Sequence, residues 1–91
     1  MKSKLSRFNY AVFRAYKNAK EQDTKKLDMS FIRNMENATD EELRKLIYEL
    51  NEIDYETEYI PKNISKYRLI QMLIDKYERL YEVINEDLKK I

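Results

Sequence analysis

The chain contains no glycine, no cysteine, no histidine and no tryptophan, and it has a single proline. Each absence removes a class of chemistry. Without cysteine there are no disulfides and no thiol nucleophile. Without cysteine and histidine the usual zinc sites have no ligands. The common calcium loop turns on an invariant glycine, and both familiar phosphate-cradling loops are glycine-rich. A general-base histidine and a glycine-rich oxyanion turn are missing as well. Carboxylates are plentiful, but none sits in an apolar stretch that would raise its pKa for acid–base work. Ser3, Ser6, Ser30 and Ser65 lie near expected helix starts or charged surface, where capping accounts for those with a plausible cap position. No enzyme activity, metal or cofactor is therefore expected. No apolar run approaches the length of a membrane span. Residues 1–20 carry charge throughout, so no signal peptide is expected, and the protein is expected to be soluble and cytoplasmic.

What is present is charge and helix. The 91 residues, 38% of them Asp, Glu, Lys or Arg, suit one domain with one core and no room for a deep pocket. The net charge is +1, spread unevenly. Residues 1–26 hold eight Lys/Arg against two Asp/Glu, a net +6, and residues 27–91 carry a net −5. Such asymmetry points either to a polyanion partner or to internal pairing.

The spacing predicts an all-α fold: a small helical bundle of three longer helices plus one short helix, wrapped on a long C-terminal helix. Residues 65–91 contain neither Pro nor Gly, and their apolar positions cover an arc of roughly 220° at about 100° per residue. That is about twice the stripe of an ordinary surface helix, so the rest of the chain is expected to wrap this segment. Residues 2–22 read as an amphipathic helix with Leu5, Phe8, Val12, Ala15, Tyr16 and Ala19 inward. A short helix over 30–36 turns Phe31, Ile32 and Met35 inward. Thr39-Asp40-Glu41-Glu42 has the form of a capping box and opens a helix to about residue 53. Its stripe is Leu43, Leu46, Ile47, Leu50 and Ile53, with Tyr48 pointing away. Residues 54–64 form a connector longer than bundles usually use. In it Tyr55, Thr57 and Tyr59 alternate with Glu56 and Glu58, a period of two that favours extended chain. Ser65 is the expected N-cap of the last helix.

The segment T-D-E-E-L-R-K-L-I-Y-E-L, the connector, and S-K-Y-R-L-I-Q-M-L-I together resemble the helix–extension–helix pattern of SAP and LEM-type domains over residues 39–77. The resemblance implies DNA binding by the connector and the start of the second helix, here Lys62, Asn63, Ser65, Lys66 and Arg68. The connector is longer than in that family and lacks its usual Gly-Lys pair. The Lys-, Asn-, Ile- and Tyr-rich composition also resembles that of small proteins from AT-rich phages and mobile elements.

Three candidate surfaces follow. The leading one is protein-binding: Tyr48, Tyr55, Glu56, Glu58 and Tyr59 as an exposed aromatic–acidic patch, the alternative being that these tyrosines pack down on the helices. It implies a small non-enzymatic regulatory or inhibitory protein that docks on another protein. The second is nucleic-acid-binding, with phosphates held by Lys2, Arg7, Arg14, Lys17 and Lys20 and stacking on Tyr10, extended by Lys62, Lys66 and Arg68. Its alternative is a solvated face balanced by the acidic remainder. The third is a homodimer through Tyr77, Leu80, Tyr81, Ile84, Leu88 and Ile91, unless residues 2–22 cover that face and leave a monomer.

Overall fold

A computed structural model describes residues 5–22, 27–54 and 57–90, with side chains described outside 22 and 27–30. Lys2, Tyr55, Glu56 and Ile91 lie outside these residues. Among the described residues the fold is an all-α bundle of five helices: α1 (Arg7–Gln22), α2 (Leu27–Met35), α3 (Asp40–Asn51), α4 (Lys66–Arg79) and α5 (Tyr81–Lys89). None of the described helices is long and apolar enough to cross a membrane.

Local signals set most of the boundaries. Ser6 opens α1: its Oγ accepts from the Asn9 N–H at 3.2 Å and its carbonyl from the Tyr10 N–H at 3.2 Å. The capping box of α3 is present, with Thr39 Oγ1 accepting from the Glu42 N–H at 3.1 Å and Glu42 Oε1 from the Thr39 N–H at 2.8 Å. Ser65 caps α4 by accepting from the Arg68 N–H at 3.2 Å. Leu43, Leu46, Ile47 and Leu50 are buried along α3, as are Phe31 and Met35 on α2.

Two expectations about helix geometry are corrected. First, α1 begins at Arg7 among the described residues, and its buried side is Asn9, Tyr10, Val12, Phe13 and Tyr16. Phe8, expected inward, is 43% exposed. The helix is rotated by most of one residue's step of about 100° relative to the expected stripe. The aromatic positions 8, 10 and 13 fit either rotation, and long-range bonds to Asn9 select the observed one.

Second, the single long C-terminal helix is two helices. Leu80, with φ −97° and ψ 11°, ends α4 and starts α5, a ψ about 50° away from the helical value. Backbone bonds survive on either side, from Leu80 N to Lys76 O at 2.8 Å and from Ile84 N to Leu80 O at 3.0 Å. Neither of the usual local causes, Pro or Gly, is present. The cause is tertiary. The break lets α4 pack its apolar side on α3 while α5 turns Tyr81 and Asn85 onto α1. Leu80 offers no polar cap to α5, and its burial offsets that loss. Around this joint the expected wrapping is found on α4 alone, which touches each of the other four helices.

The core is aromatic at its centre. The Phe13 ring meets Tyr77 edge-on at 5.4 Å and Tyr81 at 5.4 Å; Tyr16 meets Phe31 edge-on at 5.7 Å and Tyr77 at 5.6 Å. Such tilted pairs add to area burial because ring edges face ring faces. Leu80 and Ile84 close the same core. The proposed dimer face of Tyr77, Leu80 and Ile84 is thus buried inside the chain, with Tyr81 and Leu88 packed against that core. α1 covers much of this face.

Candidate docking surface

The connector between α3 and α4 is tied down at several points. Asn51, at the end of α3, donates from Nδ2 to the Glu58 carbonyl at 3.2 Å and accepts the Glu58 N–H on Oδ1 at 3.3 Å. Asp54 turns its side chain, 3% exposed, onto α4, where Oδ2 meets Lys76 Nζ at 2.8 Å and Arg79 Nη2 at 3.1 Å. Arg79 reaches Glu58 Oε1 at 3.6 Å as well. Further along, Arg44 Nη2 donates to the carbonyls of Pro61 and Lys62, both at 2.9 Å. Lys66 Nζ donates to the Glu36 carbonyl. Ile60 is buried and acts as the apolar anchor.

Between these ties the chain alternates as the sequence suggests. Thr57 is exposed, Glu58 half-buried, Tyr59 exposed and Ile60 buried. Tyr59 stands 82% exposed at the edge of an open cleft of about 400 Å³ lined by Glu58, Pro61, Ile64, Arg68, Gln71, Met72 and Asp75. The backbone that carries it is fixed on both sides.

Tyr48 is also exposed, at 52%, and lines a second cleft with Glu41, Arg44, Lys45, Glu49 and Glu52. Tyr48 and Tyr59 thus line different clefts. Arg44 links the two surfaces, lining the Tyr48 cleft while holding the connector. Sequence reasoning missed the α4 side of the Tyr59 cleft. Tyr67 and Met72 belong to the apolar arc of residues 65–91 that is expected to be covered, yet Tyr67 is 60% exposed and Met72 half-buried. The signal available was the mixture of charge and apolar residues at 68, 71, 72 and 75, which share one helical face.

The basic candidates are dispersed. Arg7, Arg14, Lys62 and Arg68 are exposed. Lys17 Nζ donates to Asn85 Oδ1 at 2.9 Å, and Lys20 Nζ sits 4.7 Å over the Tyr81 ring. Both fasten α1 to α5. Tyr10, expected among the cations as a stacking platform, is buried at 6% exposure, and burial and then Asp87 raise its pKa above the usual 10.0. Arg14, Lys17 and Lys89 do share an open groove of about 370 Å³ between α1 and α5, opposed there by Glu21. Lys62, Asn63 and Arg68, the positions suggested by the SAP-type resemblance, are exposed, and Ser65 is occupied as a cap.

Compared with protein-family models, with curated proteins and with solved structures, the chain matches none of them.

Proposed function

We propose that the protein is a non-enzymatic regulator or inhibitor that acts by docking on another protein through the cleft beside Tyr59. One observation carries this reading: a tyrosine 82% exposed on a connector whose backbone is fixed by Asn51, Arg44 and buried Ile60. Leaving a large ring in water forgoes burial worth about 1.5–3 kcal/mol, and a fixed backbone lowers the ordering cost of engaging it. Tyrosine offers a partner both area and a hydroxyl. Glu58 and Asp75 at the rim and Met72 and Ile64 in the floor supply charge and apolar surface around it. The nucleic-acid reading has less support, because Lys17, Lys20 and Lys66 are engaged within the chain and Tyr10 is buried.

The test is site-specific photocrosslinking from position 59 in cells that express the protein, with position 48 as the comparison. A discrete protein adduct from position 59, insensitive to nuclease, is expected. In purified form, Tyr59→Ala is expected to lose that protein while keeping its thermal midpoint within about 2 °C, as suits an exposed side chain. Full retention of the partner by Tyr59→Ala, or loss of the adduct on nuclease treatment, would sink the reading.

A further inference from the structure

The outward face of α4 has an internal symmetry. Arg68, Gln71, Met72 and Asp75 stand at i, i+3, i+4 and i+7, on one side of the helix. Arg68 and Asp75 are exposed, Gln71 and Met72 are half-buried, and all four line the Tyr59 cleft. Among the described residues neither the Arg68 guanidinium nor the Asp75 carboxylate has an ion-pair partner. Reversing the helix about the point midway between Gln71 and Met72 exchanges Arg68 with Asp75. A two-fold axis through that point therefore lays α4 antiparallel to the α4 of a second copy. Each Arg68 then faces Asp75 of the other chain, and Met72 of each chain meets Gln71 of the other beside the axis. The two charges of one chain are about 10.5 Å apart along the helix, so the ion pairs flank an apolar centre rather than crowd it.

We infer that a second copy of this chain can occupy the cleft, paired across α4 in an isologous two-fold dimer. This rests on the reading of the cleft as a protein-docking surface, and a partner protein would have to displace the second copy. The charge pattern is what favours a copy. A different protein needs complementary charge at this face but has no need for the face to complement itself. Tyr59 stands at the edge of the seam and adds aromatic area there. The contact is one helix face and a ring, well below the standard interface size, so association is weak.

Sedimentation equilibrium on the full chain over a range of concentrations tests it. The wild type is expected to show a reversible monomer–dimer equilibrium. Arg68→Asp alone, or Asp75→Arg alone, sets like charges face to face at both ends of the seam, and each is expected to weaken self-association at least about tenfold. An equimolar mixture of these two variants restores complementarity and is expected to associate as a heterodimer; the double variant R68D/D75R is expected to self-associate again. Both positions are exposed, and circular dichroism checks that each variant keeps its helices. A wild type that stays monomeric up to about 1 mM, a Kd worth only about −4 kcal/mol, overturns the proposal. So does a mixture no more associated than its components. Either failure leaves crosslinking from position 59 untouched, so it can be told apart from failure of the docking reading.

Discussion

Lys76 and Tyr77 are neighbours in sequence and both are fully buried, yet they carry their polar groups to different partners around α4. Tyr77 points into the bundle. Its hydroxyl donates to Asn9 Oδ1 at 2.6 Å, and Asn9 Nδ2 donates in turn to Leu46 O at 3.2 Å and Glu49 Oε1 at 2.9 Å. The same Glu49 oxygen accepts from Ser6 Oγ at 2.9 Å and Ser6 N at 3.2 Å. This chain joins α4, α1 and α3, and its buried members are uncharged. Lys76 points to the connector and ends on Asp54, with Arg79 and Glu58 beyond. The two sides teach different lessons. The inner network fixes how α1 is rotated, because only one phase brings Asn9 under Tyr77. The outer one fixes a loop, and it does so with full charges withdrawn from water. Losing a partner should therefore cost most on the ionic side.

The largest expected effect is at Asp54. Asp54→Ala leaves Lys76 buried without this carboxylate, and unfolding by denaturant should show a loss of about 3–5 kcal/mol. Adding Lys76→Met should recover much of that loss, since an apolar side chain in place of a buried pair is close to neutral. Hydrogen exchange should place the damage locally, with the Glu58 amide losing protection before the amides of α1. If Asp54→Ala costs less than the next substitution, the ranking of the two sides is wrong.

That next substitution is Tyr77→Phe. It keeps the ring among Phe13, Tyr16 and Phe31 and removes only the hydroxyl, leaving buried Asn9 Oδ1 without its donor; the expected cost is about 1–3 kcal/mol. The same residue makes a pH prediction. Burial first, and the negative charge of Glu49 second, raise the Tyr77 pKa well above the usual 10.0. The folded state thus favours the neutral phenol. Its contribution is fully present below pH 10.0, the unfolded value, and is lost as pH rises towards the folded value. Tyr77→Phe should flatten the alkaline limb of a stability–pH curve. Some slope should remain, because burial and Asp87 raise Tyr10 in the same direction. An alkaline limb unchanged by Tyr77→Phe would remove Tyr77 from this account.

These two networks also mark where sequence reading stops. The α3 stripe, the Thr39 box, the Ser65 cap and the inward Phe31 and Met35 were legible because each rests on neighbours three or four residues away. Asn9 was not. A polar residue reads as surface unless its partners are known, and Leu46, Glu49 and Tyr77 lie 37 to 68 positions along the chain. Missing Asn9 misplaced Phe8 and Tyr10 together. The break at Leu80 was hidden for a related reason: a leucine carries no local stop signal, and the pull comes from α1. At the candidate site, the alternation around Tyr59 was legible from period two. That Tyr48 and Tyr59 line different clefts was not, since it depends on how Asn51 and Asp54 fold the connector back onto α4.

The smallest effect expected is at an exposed site that belongs to neither network. Thr39→Ala removes the side-chain half of the α3 capping box, and the expected loss is about 1 kcal/mol. Glu42 shares that box. Hydrogen bonds first from the Thr39 backbone and then from its side chain lower its pKa below the usual 4.5. The charged form is thereby favoured in the fold, so its contribution is present above pH 4.5 and is lost as pH falls through the folded value. Glu42→Gln should accordingly make stability less sensitive to acid. The box shares no partner with Tyr77 or with Asp54, so Thr39→Ala should add to either substitution within about 0.5 kcal/mol in double variants. A larger coupling with Asp54→Ala would mean that the start of α3 and the connector beyond its end move together, and the connector could then no longer be treated as a separately fastened platform for Tyr59.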